Sequence, residues 1–222
     1  MEKSTNKREY LRRKEKERKR KRWFVAGLIL LGVILIFGLA ILLPRIILNP
    51  QKFEGSTGFS LGDPNAPITV DAFSSYTCSH CKDFSENEEK SFIKEYVDTG
   101  KVFYRYINLA AFNEQGILAN TASYCAADQD RFFDYKGLLF SNALMEDGFS
   151  QENLINYANY IGMDIQAFTD CLNSDTYAKA YIDDRSYASA LGITFTPAFS
   201  VNGQVVTTSE LIPTVEMLMS EQ

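Results

Sequence analysis

Histidine and tryptophan are nearly absent: His80 and Trp23 are the only ones among 222 residues. A single imidazole excludes a metal centre built on histidines. Cysteine is scarce as well. Of the four, Cys78, Cys81, Cys125 and Cys171, only the first two stand close together. A tetrahedral structural zinc site draws its ligands typically from two close pairs, so the missing second pair argues against zinc and no metal is expected. There is no glycine-rich run of the kind that cradles phosphate, no internal repeat, and no organic cofactor that the remaining chemistry requires. Charge is missing altogether from Trp23 to Leu43, and basic side chains are missing between Lys52 and Lys82.

These gaps organise the chain. The uncharged stretch is 21 residues long; at about 1.5 Å per residue in a helix it matches a hydrocarbon core of roughly 30 Å. Residues 1–22 hold twelve Lys or Arg against four Glu, and this bias predicts a cytoplasmic N-terminus with everything beyond Pro44 outside the cell membrane. A cleavable signal peptide would have an apolar region of roughly 7–15 residues ending at a small-x-small site; this one is longer and ends in Leu-Leu-Pro-Arg. The expectation is a single-pass anchor: a cytoplasmic basic segment at 1–22, a transmembrane helix at 23–43 and a stalk at 44–61. The basic segment would contact anionic lipid. The formal net charge of -5 hides a strongly acidic outer region, since residues 45–222 carry 11 basic and 24 acidic side chains. That excludes a nucleic-acid binder, which needs a positive footprint.

Residues 62–222 suffice for one domain with a real core. Ile68 to Phe73 and Val102 to Ile107 read as strands, the second alternating Val102, Tyr104 and Tyr106 on one side. Between them Phe84, Glu88, Phe92 and Tyr96 step by four, which predicts a helix over 81–97. A helix joining two strands favours parallel pairing. A block of helices follows over about 112–190. Then Phe195 to Val201 and Gln204 to Thr207 flank Asn202-Gly203, a strong hairpin turn, and a closing helix follows Ser209. The order predicts an α/β fold, a small sheet with helices on its faces and a helical insertion.

The chemistry centres on Cys78-Ser79-His80-Cys81, where a strand gives way to a helix. A thiolate at a helix N-terminus meets unpaired backbone N–H groups and the positive end of the dipole. Cys78, the outer residue, is the candidate attacking thiol, and Cys81, one turn in, the resolving one. His80 would add positive charge or a hydrogen bond to the Cys78 thiolate. Thr196-Pro197 sits in an apolar, β-like stretch where proline removes a ladder hydrogen bond, so Pro197 should mark an edge or irregular point.

Three segments together resemble the disulfide-bond oxidoreductase A (DsbA) family of the thioredoxin-like superfamily: residues 73–81 around the cysteine pair, Tyr124 to Gln129 with Arg131-Phe132-Phe133, and Gly192 to Gly203 around Thr196-Pro197. The resemblance implies a thioredoxin-like fold with an inserted helical domain, preceded here by one transmembrane helix. It implies that Cys78 is attacked and Cys81 resolves, that Pro197 is cis and faces the pair, and that Thr196 supplies backbone to the substrate. It also implies reduced exported proteins as substrates and a quinone-linked membrane protein as the reoxidising partner. There are two departures. Ser79 stands where the family commonly has proline between the cysteines, and Ala72 stands where a buried glutamate often lies. Asp71 is adjacent, but a shift of one residue on a strand points it to the other face, leaving proton handling at Cys81 to water or another acid.

Cys125 and Cys171 either fill core volume as free thiols or close a disulfide between two helices of the insertion; an oxidising compartment favours the bridge. Tyr76 and Phe195 either pack in the core or line a shallow apolar surface near the cysteines. The reading as a whole is an oxidase of exported proteins. A reductase or isomerase on the same fold and a non-enzymatic, chaperone-like binding module are the alternatives.

Overall fold

The computed structural model describes residues 23, 59–109, 113–177 and 179–221. The chain divides into units 1–50 and 51–222, and the fold described here belongs to the second. The expected span at 23–43 lies, but for Trp23, outside the described residues. Among the described residues no helix is long and apolar enough to cross a membrane.

The described elements run β1 (Ser60–Leu61), β2 (Ile68–Ser74), α1 (Ser79–Asn87), α2 (Glu89–Phe92) continuing into a π-helical turn (Ile93–Val97), and β3 (Val102–Asn108). Five helices follow: α3 (Glu114–Ala127), α4 (Phe132–Asn142), α5 (Gln151–Tyr160), α6 (Ile165–Leu172) and α7 (Ala180–Ala190). The chain closes with β4 (Ala198–Val201), β5 (Gln204–Val206) and α8 (Thr208–Ser220). The sheet order is β1-β3-β2-β4-β5. β2 pairs parallel to β3 from Ile68↔Val102 to Ser74↔Asn108, and antiparallel to β4 with Phe73 opposite Ala198. The helix between β2 and β3 accounts for the parallel pair, because a parallel connection needs a crossover.

β2 is buried on both faces, and its period of two decides what each face meets. Val70 and Ala72 join the main core with Phe84, Tyr104, Phe132 and Phe199. Phe73 faces a second cluster with Ile107, Ala188 and Ile193, under α7. Asp71 shares that second face. It takes two hydrogen bonds from Arg105, at 2.5 and 2.7 Å, and one from the Tyr187 hydroxyl at 2.6 Å. The parity argument that turned Asp71 away from Ala72 therefore holds.

Two expectations are corrected. Ser60–Leu61, read as the end of the stalk, is an edge strand antiparallel to β3; at two residues it carries no readable alternation. Gly62 follows at φ +90, where an added Cβ would lie 2.7 Å from the Val102 carbonyl oxygen. The helix predicted over 81–97 begins earlier and is interrupted at Glu88, whose φ of -120 leaves the helical region. The interruption advances the helical phase by one residue, so that Glu88 is exposed and Glu89 is buried. The last helix of the block expected over about 112–190 runs from Ala180 to Ala190.

Local signals explain the other boundaries. Asn113, Ser150 and Asp164 each accept a backbone N–H of the next turn and start α3, α5 and α6, as N-cap residues do. Thr207 and Glu210 form a capping box at the head of α8. Asn202 and Gly203 turn the β4–β5 hairpin at positive φ, and the Asn202 side chain accepts the Thr69 N–H at 2.8 Å. Cys125 of α3 and Cys171 of α6 are joined by a disulfide with their Cα atoms 5.8 Å apart, which resolves that pair in favour of the bridge.

Candidate active site

The parallel β2 delivers residues 75–78 to the end of the sheet, and α1 starts there. Cys78 is the N-cap of α1: its backbone is extended and its sulfur accepts the Cys81 N–H at 3.4 Å. The loop is closed behind it by the Cys78 N–H donating to the Ser75 carbonyl at 3.1 Å. Both thiols are free, with Cys78 half-buried and Cys81 buried. Because β4 pairs with β2 one residue beyond Pro197, the Thr196–Pro197 peptide is carried to the same end of the sheet. That bond is cis, and the Cys78 thiol donates to the Thr196 carbonyl at 3.4 Å. Cys78, Cys81, Thr196 and Pro197, 115 and more residues apart in two pairs, thus meet at one point.

The two thiols differ in ionisation. Partial burial pushes Cys78 up, but hydrogen bonding from the Thr196 side chain, the Cys81 thiol and the backbone N–H groups of Cys81 and His80 outweighs it, and the net direction is down. Cys81 is pushed up to about 11, chiefly by burial, with hydrogen bonds from Ser74 and Ser75 only partly offsetting it. A helix N-terminus thus favours a thiolate at its mouth and a thiol one turn in.

The structure refines the sequence-derived residues. His80 is exposed, and its backbone N–H is among the groups that draw the Cys78 value down. Tyr76 is buried against Tyr106, Phe140 and Phe149 and belongs to the core. Phe195 is 46% exposed and flanks an open groove of about 540 Å³ shared with Ser75, Thr194, Thr196 and Arg185. One group was missed altogether: Glu89 and Lys136, an ion pair buried behind Cys81. Nothing local marks it, because the break at Glu88 and the approach of α4 create it.

A half-buried thiol capping a helix, a buried thiol one turn in and a cis-proline loop against the sulfur define a thiol–disulfide oxidoreductase. Comparison with known proteins agrees. The family described as Thioredoxin matches residues 54–220. Disulfide bond formation protein D of Bacillus subtilis is 27% identical over 151 residues, covering 66% of this chain and 68% of the relative. Among solved structures, oxidised BdbD from Bacillus subtilis superposes with a TM-score of 0.64 at 23% identity, over 78% of this chain and 98% of that one. DsbA from Chlamydia trachomatis gives a TM-score of 0.66 at 22% identity, over 74% and 92%. The chain belongs to the thioredoxin family, as a DsbA-like thiol–disulfide oxidoreductase.

Proposed function

We propose that the chain is a membrane-anchored oxidase that introduces disulfides into reduced exported proteins through Cys78 and Cys81. A substrate thiolate attacks the Cys78 sulfur of the oxidised pair, the S–S bond breaks, and Cys81 leaves with the electron pair. A second substrate thiolate then attacks the substrate sulfur of the mixed disulfide and Cys78 departs as a thiolate. Thr196 offers its backbone to the extended substrate beside Cys78, Pro197 walls the pair, and the groove past Phe195 takes the flanking residues. His80 acts through its backbone N–H.

The observation that carries this reading is the asymmetry of the two thiols. A Cys78 held below its ordinary value is a good leaving group, and stabilising its thiolate favours the dithiol over the disulfide, so the pair oxidises other thiols. Reoxidation then falls to a membrane protein that passes electrons to quinone. The 23–43 segment keeps the domain beside that partner, with residues 1–22 in the cytoplasm against anionic lipid. A reductase or isomerase is the competing direction, and Ser79 bears on the choice because the dipeptide between the cysteines helps set the potential.

The reduction potential of the full chain, equilibrated against glutathione, separates the two. The oxidase reading expects a value more positive than about -180 mV together with Cys78 ionising well below about 8.5. A potential near thioredoxin's roughly -270 mV with an unshifted Cys78 overturns it.

A further inference from the structure

Cys81 must lose and regain a proton in every cycle, yet it is 1% exposed. Ala72 leaves no acid on the adjacent strand, and Asp71 is committed to Arg105 and Tyr187 on the far face of the sheet. Behind Cys81, however, lies a small cavity of about 10 Å³ bordered by Cys81, Ser85, Glu89, Tyr104, Tyr106 and Lys136. That is room for one water, provided the walls offer it polar partners.

The walls do so. Ser85, one turn beyond Cys81 on α1, donates its hydroxyl to Glu89 at 3.1 Å and accepts from the Lys136 ammonium at 3.1 Å. Glu89 also accepts the Tyr104 hydroxyl at 2.8 Å and pairs directly with Lys136. The Tyr106 hydroxyl is buried and has no hydrogen-bond partner among the described residues, which is the condition an ordered water relieves. Every charged or titratable group facing the cavity is accounted for here: Cys81 from α1, Glu89 from α2, Tyr104 and Tyr106 from β3, and Lys136 from α4. Burial raises both tyrosines well above their ordinary value, so neither competes as the base.

We propose that Glu89, positioned by Lys136 and Ser85, exchanges protons with Cys81 through a single water held in this cavity. In ring closure the Cys81 thiol gives its proton to the water as the water gives one to the Glu89 carboxylate. The Cys81 thiolate then attacks the Cys78 sulfur of a mixed disulfide, forming the Cys78–Cys81 bond and releasing the partner thiolate with its electron pair. That thiolate is protonated by solvent, and Glu89 returns its proton to solvent. During the transfer the Lys136 ammonium balances first the carboxylate and then the thiolate, so the number of buried charges stays constant. Opening of the disulfide runs the same exchange backwards.

The inference rests on Cys78 and Cys81 being the exchanging pair, and one experiment tests both. The full chain is prepared with glutathione on Cys78, and its release by Cys81 is followed by rapid quench from pH 5 to 9. Glu89→Gln should slow release about 10²-fold at pH 7, within the range for lost acid–base assistance, and the residual rate should rise about tenfold per pH unit as hydroxide alone ionises Cys81. The double variant Glu89→Gln/Lys136→Met removes both charges and leaves neither stranded. It should show the same slow, steep profile while unfolding at a urea concentration near that of the unaltered chain. A double variant that folds and releases glutathione with the unaltered rate and pH profile overturns the relay alone. An unaltered chain that never releases glutathione overturns the Cys78–Cys81 reading, and the relay with it.

Discussion

Two cysteines three residues apart behave as different chemical groups because one lies at the mouth of a helix and the other inside it. The difference is measurable residue by residue. Cys78→Ala should abolish exchange with a thiol substrate. Cys81→Ala should instead hold the substrate on Cys78, visible as a mixed disulfide on a non-reducing gel. The direction of the Cys78 shift also fixes a pH dependence. Its folded value lies below its unfolded value of about 8.5. The folded state therefore binds the proton less tightly, and the thiolate contributes stability that is present above about pH 8.5 and lost as pH falls through the folded value. In urea unfolding of the reduced Cys81→Ala chain, the advantage over Cys78→Ser/Cys81→Ala should shrink from pH 9 to pH 5. A constant difference across that range would mean that the N–H groups at the head of α1 do not hold the thiolate. His80→Ala, by contrast, should leave Cys78 alkylation nearly unchanged, because the imidazole is exposed and the backbone N–H survives the substitution.

At the scale of elements, the insertion is fastened to the sheet domain by a buried charge and within itself by a covalent bond. Lys136 of α4 meets Glu89 of α2 with both side chains buried. Removing one partner strands the other, so Lys136→Met should cost about 3–5 kcal/mol in urea unfolding, most of it recovered in the double variant with Glu89→Gln. The Cys125–Cys171 bond closes a loop of 46 residues between α3 and α6. On the chain-entropy account such a loop stabilises by about 4 kcal/mol, and Cys125→Ala/Cys171→Ala should lose stability of that order while keeping thiol exchange at Cys78. Peptide mapping should recover the two cysteines linked without reductant; free alkylation of both would contradict the bridge. Element boundaries were legible wherever a local signal sets them, as at Ser150 and at Asn202-Gly203. They were not legible at Glu88, where the chain leaves helix within an unbroken four-residue stripe. The buried position of Glu89 belongs to the packing of β3 and α4 around it, not to the four-residue stripe, whose Phe84, Phe92 and Tyr96 are buried as the spacing predicts.

At the scale of the molecule, the proposed membrane anchor rests on the acidic balance of residues 45–222, the basic residues 1–22 and the uncharged stretch between them. The full chain should remain with membranes through alkaline carbonate extraction, and protease added outside intact spheroplasts should digest the thiol domain while sparing residues 1–22. A chain extracted as a soluble protein would remove the anchor.

The sequence by itself determined the α/β class, the order of the main strands and helices, the hairpin and the two separate motifs Cys78-x-x-Cys81 and Thr196-Pro197, whose meeting only the family resemblance implied. All of these rest on local period, turn chemistry or motif, which act over a few residues. It also fixed by strand parity that Asp71 turns away from Ala72. Only the tertiary structure decided that β1 closes the sheet edge, that Tyr76 is core while Phe195 and the His80 side chain face solvent, and that Glu89 and Lys136 stand behind Cys81. Those outcomes depend on which surfaces separate elements bring together, and no spacing along the chain encodes that meeting.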